Sequence, residues 1–139
     1  MKVVIDADCI VAGTLAATGA ASQLLDLWHE GEFEVIACPQ LVKEVREALL
    51  RPRIADRYGL TQDEVDELVG RLQQESIWVR DPVEPPRVVP KDAGDDYLVA
   101  LAVGNDADAL VCRDRHFDGL SAVGLRILYP GEFLKEVVD

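Results

Sequence analysis

Asp6 and Asp8 follow directly on the apolar run Val3-Val4-Ile5, and Glu44 borders the apolar stripe of a helix-patterned segment. Asp92, Asp95 and Asp96 crowd the start of a second such segment, and Asp114 follows the run Ala109 to Cys112. Singly, each has an ordinary explanation. An Asp after a strand is commonly a turn residue, and acids ahead of a helix commonly cap it and complement its dipole. Glu44, set among Lys43, Arg46 and Glu47, fits a solvated helix charge, and Asp114 fits a turn before His116. Jointly they suggest chemistry. Carboxylates gathered in one place repel and resist ionisation. Hard divalent cations such as Mg²⁺ or Mn²⁺ relieve this with oxygen ligands. One or two ions there can activate water and stabilise both oxygens of an in-line phosphoryl displacement, with no Ser, Cys or His nucleophile.

Whether these acids meet depends on the elements that carry them. Val3 to Ile5 is short, apolar and β-branched, the pattern of a buried strand. Ser22 to Glu30 has helical spacing and stops at Gly31; Phe33 to Ala37 is patterned as a second strand. Pro39 stands at a helix start, and Leu41, Val42, Val45, Ala48 and Leu49 make one apolar face that runs to Pro52. Thr61 and Glu64 have capping-box spacing at the head of a helix with Val65, Leu68, Val69 and Leu72. Ile77 to Val79 predicts a short strand, and Pro82, Pro85, Pro86 and Pro90 punctuate a loop ending at Asp92. An apolar helix with Leu98, Val99, Leu101, Ala102 and Val103 follows, then strands at Ala109 to Cys112 and Arg126 to Leu128, then a helix from Pro130 to Val138. Strands alternating with helices predict an α/β fold: three layers, α/β/α, around a mostly parallel central sheet. Ligands of such sheets bind beyond the carboxyl ends of the strands, where the connections diverge. The acids fall there.

The totals constrain the rest. A chain of 139 residues, 49% hydrophobic, is expected to be one domain over 1–139 with a core sufficient to fold unaided. Cys9, Cys38 and Cys112 are odd in number and form no C-x-x-C pair, so buried reduced thiols in a cytoplasmic protein are expected, not disulfides or a zinc site. His29 and His116 supply no ligand set. The N-terminus lacks a secretory pattern, and the uncharged stretch Cys9 to Leu25 is too polar for a membrane span, so no membrane partner is expected. The net charge of −12 opposes nonspecific nucleic-acid binding unless some of the acids are ligands for cations.

From about Lys2 to Leu134 the chain resembles the PIN domain family, within it the group of toxin components of toxin–antitoxin pairs. VVIDADCIVAG resembles the family's first strand followed by Asp-Thr-Asn, and FEVIACPQLVKEVREAL its helix bearing an acidic Glu. DAGDDYLVALAV resembles the Asp-rich helix start, ADALVCRD the strand ending in Thr-x-Asp, and GLRILYPGEFL the closing strand and helix. The resemblance implies an acidic quartet of Asp6, Glu44, Asp95 and Asp114 that binds Mg²⁺ or Mn²⁺. Asp96 aligns with the third position with almost no penalty and joins Asp6, Asp95 and Asp114 as a candidate metal ligand. Asp8 and Asp92 would be auxiliary acids. The chain departs from the pattern at Asp8, where Asn is usual, and at Cys112, where Thr is common. Implied, too, is endoribonuclease action on a phosphodiester held in the crevice. Lys43, Arg46, Arg51, Arg53, Arg57, Arg113 and Arg115 are candidate phosphate contacts, each with ordinary surface charge as its alternative. Such nucleases typically dimerise and are inhibited by a small antitoxin protein.

Two other readings compete. Asp6 and Asp8 have the Asp-x-Asp spacing of a haloacid-dehalogenase-type phosphatase, although that leaves Glu44 and Asp114 unexplained. A non-catalytic binding module of the same fold is the second.

Overall fold

The computed structural model describes residues 1–89, 93–113 and 125–138. Five strands, β1 (Lys2–Ile5), β2 (Glu34–Ala37), β3 (Ile77–Trp78), β4 (Ala109–Val111) and β5 (Ile127–Leu128), form one sheet in the order β3-β2-β1-β4-β5. Every pairing is parallel, with Val3 beside Val35 on one side and Ala109 on the other. The sheet is thus parallel throughout, beyond the expected mostly parallel arrangement. Val3, Val4, Ile5, Val35, Ile36, Leu110 and Val111 are fully buried, as strands covered on both faces require.

Seven α-helices among the described residues flank this sheet: α1 (Ala7–Leu15), α2 (Ala20–His29), α3 (Pro39–Leu50), α4 (Pro52–Tyr58), α5 (Gln62–Glu75), α6 (Asp96–Gly104) and α7 (Pro130–Val138). Helices α1, α2, α3, α5 and α7 pack against one another in the pairs α1–α2, α1–α3, α3–α5 and α2–α7, whereas α6 packs on β1 and β4. This division follows from chain direction. The connections from β1 to β2 to β3 step one way across the sheet, and that from β3 to β4 steps back, so right-handed crossovers send their helices to opposite faces. The reversal falls at β1 and β4, and the crevice beyond their carboxyl ends is the place where such sheets bind ligands.

Most expected elements are present at their expected places. Thr61 caps α5 by accepting from the Glu64 N–H at 3.1 Å. Leu41, Val42, Val45, Ala48 and Leu49 are all buried along α3. The three cysteines are free and buried. Two helices are additional to the sequence-based expectation. Helix α1 buries Cys9, Ile10, Val11 and Gly13, so its apolar residues surround it instead of marking one stripe. Helix α4 starts at Pro52, the residue expected only to end α3; proline suits the first turn of a new helix equally well. No single helix among the described residues is long and apolar enough to cross a membrane; α1 and α2 together have the length but are bent by 92°.

Gly13 lets α1 and α2 meet. A Cβ there would stand 2.6 Å from the Ala21 carbonyl oxygen and 2.8 Å from a Leu25 methyl carbon. Gly13→Ala is expected to destabilise the fold by about 1–3 kcal/mol, the usual range for forcing extra volume into a packed core. Urea denaturation measures it, and an unchanged midpoint would mean that the two helices separate freely.

Candidate active site

Asp6 sits where β1 becomes α1. Its N–H donates to Val111 O at 3.0 Å, completing the ladder to β4, and its carbonyl accepts from Ile10 N at 3.1 Å to begin the helix. The side chain therefore caps α1, with Oδ1 accepting from Cys9 N at 2.8 Å, and the backbone N–H of Arg113 also donates to this carboxylate. Only 4% of the residue is exposed. Burial pushes its carboxyl up to about 7, opposed by these backbone donors and reinforced by the negative charges of Asp8 and Asp95.

Glu44 comes from α3, half-buried beside that point. Its Oε2 accepts from the Tyr97 hydroxyl at 2.8 Å, joining α3 to the first turn of α6. Burial raises this carboxyl as well; the hydrogen bonds from Tyr97 and Gln40 counter it, and Asp95 and Asp8 add to it. Asp95 ends the 3₁₀ turn Ala93–Asp95 that leads into α6. With Gly94, Asp8, Glu44, Glu47 and Arg51 it lines a pocket of about 270 Å³ above the end of β1. Three elements thus bring Asp8, Glu44 and Asp95 to one pocket, with Asp6 buried beside them.

Asp96 is placed differently from its neighbour. Its Oδ1 accepts from the N–H groups of Val88 at 3.0 Å and Val89 at 2.7 Å, and its Oδ2 from Arg87 at 2.7 Å. Burial would raise this carboxyl, but the Val89 and Val88 donors and the Arg87 guanidinium outweigh it and hold it below the ordinary value. Both oxygens are committed to tying the segment before α6 onto the head of that helix.

Asp92, Asp114, Arg115 and His116 lie outside the described residues. Among the described residues, no three Asp, Glu, His or Cys side chains stand close enough to form a metal shell by themselves. Lys43 faces Glu47 at 3.9 Å, and Arg46 is paired with Asp66 of α5. Arg51 reaches the acidic pocket, Arg53 lines an adjoining groove with Arg51 and Arg57, and Arg113 lines another with Asp8. His29 is paired with Glu75 at 2.6 Å, far from the acids in its contacts.

Two site residues escaped the sequence reading. Tyr97 belongs to neither the apolar stripe of α6 nor the acidic set, yet it is buried and orients Glu44; a phenol directly after two adjacent aspartates at a helix start is the signal the sequence offers. Arg87, in the proline-rich stretch, offered none.

A search of the curated proteins finds no match to this chain. A family model described as PIN domain matches residues 2–116, a span that contains Asp6, Glu44, Asp95 and Asp114. With that match over most of its length, the chain belongs to the PIN domain family.

Proposed function

We propose that this protein is a metal-dependent endoribonuclease in which Asp6, Glu44, Asp95 and Asp114 together hold Mg²⁺ or Mn²⁺ beyond the end of β1. One observation carries the reading: Asp8, Glu44 and Asp95, from three elements, line one pocket beside buried Asp6, and the charge of Asp95 opposes the ionisation of both Asp6 and Glu44. Carboxylates that oppose one another's charge in a partly buried pocket are the environment a divalent cation stabilises, and a donor set of oxygens alone suits a hard ion. Family membership supports nuclease chemistry in general. The third acid is assigned to Asp95, because Asp96 has both oxygens engaged elsewhere. Asp8 on the pocket wall, and Asp92, act as auxiliary acids.

The residues around the pocket then have distinct tasks. The N–H groups of Cys9 and Arg113 fix the Asp6 carboxylate, and the Tyr97 hydroxyl and the Gln40 side chain orient the Glu44 carboxylate on the pocket wall. A bound cation would supply charge neutralisation and Lewis acidity for phosphodiester hydrolysis. Arg51, Arg53, Arg57 and Arg113 border the pocket or its grooves and would meet phosphates there. Lys43 and Arg46, which flank Glu44 on α3, and Arg115 are further candidate phosphate contacts. By its resemblance to toxin components, the protein would work in the cytoplasm as a homodimer restrained by a small antitoxin. Against the phosphatase alternative, Asp8 is exposed on the first turn of α1, and that chemistry would leave Glu44 and Asp114 without a task.

Incubation of a mixed RNA pool with the purified protein tests this reading. Cutting is expected with Mg²⁺ or Mn²⁺, none with EDTA, and a loss of more than about a hundredfold in Asp95→Asn, exceeding what supporting residues of metal sites commonly cause. Cutting that survives EDTA or the substitution would overturn the proposal.

A further inference from the structure

The head of α3 is capped from a distant part of the chain. Cys38, at the N-cap, gives the helix no side-chain hydrogen bond, and Pro39 has no N–H to satisfy. Gln40 therefore carries the first N–H of α3 that needs an acceptor, and Asp81, 41 positions along, takes it at 2.7 Å. Asp81 follows closely on Val79, whose N–H donates to Ala37 O at 3.0 Å and extends the β2–β3 ladder. From Asp81 the chain runs through Pro82, Pro85 and Pro86 to Arg87, Val88 and Val89, which Asp96 holds at the head of α6.

These contacts close a ring. Asp96 is followed by Tyr97, whose hydroxyl donates to Glu44 at 2.8 Å, and Glu44 stands one turn beyond Gln40 on α3. The segment 81–89 thereby joins the two helices that bring Glu44 and Asp95 to the acidic pocket. Its prolines fix their own φ angles, which makes the segment a stiff spacer. A cap supplied by residue 38 would have stabilised α3 equally well. One supplied by Asp81 also fixes where the head of α3 lies relative to the chain that leads to α6.

We propose that Asp81 is a positioning residue for Glu44: by tying the head of α3 to the segment held on α6, it sets the separation across which Tyr97 meets Glu44 and Asp95 faces it. This rests on the nuclease reading for the task of Glu44 and adds a residue outside the pocket that governs its geometry. Loss of the cap frees the first turn of α3 to fray. Glu44, one turn in, then loses its fixed register with the Tyr97 hydroxyl.

Three variants separate positioning from plain helix capping. Asp81→Ala removes the acceptor and leaves the core intact, since Asp81 is exposed. Asp81→Asn keeps an oxygen that can accept from the Gln40 N–H. Thr61→Ala removes the cap of α5, which packs on α3 but brings no acid to the pocket. Two properties are read: exchange of the buried Tyr97 hydroxyl proton by nuclear magnetic resonance in EDTA, and Mn²⁺ affinity by electron paramagnetic resonance. Asp81→Ala should speed the exchange at least about tenfold and weaken Mn²⁺ binding by about the same factor. Asp81→Asn should match the wild type in both. Thr61→Ala should melt lower, as Asp81→Ala does, yet change neither property. Unchanged hydroxyl exchange in Asp81→Ala, or an equal rise in Thr61→Ala, overturns the proposal. Saturable Mn²⁺ binding that is equally tight in the wild type and Asp81→Ala would sink this inference and leave the nuclease reading intact. Faster exchange in Asp81→Ala alone, in a protein that binds no Mn²⁺, would support the positioning role and count against the nuclease.

Discussion

Asp6→Asn is expected to make the metal-free protein more stable at pH 8 while removing its nuclease activity. The carboxyl of Asp6 ionises near 3.8 when unfolded and at about 7 in the fold, chiefly because it is buried and then because Asp8 and Asp95 oppose its charge. The folded state therefore holds a proton that the unfolded chain has already released. The sign follows: this group's contribution to stability is fully present below about pH 4 and is lost as pH rises through about 7. At pH 8 the wild type carries the whole cost of a buried anion, on the order of 2–4 kcal/mol. Asn has no charge to bury, and its side-chain oxygen can still accept from Cys9 N–H and cap α1. In EDTA at pH 8 the variant should melt roughly 5–10 °C higher than the wild type, and the difference should shrink as pH falls to 5. Mg²⁺ or Mn²⁺ should raise the melting temperature of the wild type alone. A variant less stable than the wild type at pH 8 would mean that the charge is already compensated within the metal-free fold.

The opposite result is expected one element away. Asp96→Ala should cost about 3–5 kcal/mol, because it strips partners from the N–H groups of Val88 and buried Val89 and from the Arg87 guanidinium at once. Its carboxyl is held below the ordinary value, so the stability it supplies is present above about pH 4 and is lost as pH falls through its folded value. Chemical denaturation at pH 7 reads the loss. A change under 1 kcal/mol would show that the clamp between residues 87–89 and α6 is not needed. The protein thus has adjacent aspartates of opposite kind: Asp96 is stabilised by its surroundings, whereas Asp95 raises the cost of ionising two neighbours.

The sequence exposed the frame of the fold well and the orientation of side chains poorly. Val3 to Ile5, the α3 stripe and the Thr61 cap were legible because burial periodicity and capping are local properties. Helix α1 was not, since a helix surrounded by protein has no polar face to mark its period. Helix α4 was obscured because proline marks both an end and a beginning. At the site, the choice between Asp95 and Asp96 depended on where the residues 87–89 pass, a tertiary fact that adjacent identical residues cannot encode. Tyr97 and Arg87 act through long-range contacts for the same reason. Asp114, expected from the same reasoning, lies outside the described residues, so its place in the quartet rests on sequence and proposal.

In the proposed nuclease, the acids around β1 form a cation site because they are electrostatically unfavourable without one. Titration of Mn²⁺ into wild-type protein and Asp95→Asn at pH 7.5, followed by loss of the free-ion signal in electron paramagnetic resonance, tests it most directly. Saturable binding to the wild type is expected, with affinity at least about tenfold weaker in the variant. Binding of equal strength to both proteins, or to neither while both remain folded, would contradict it.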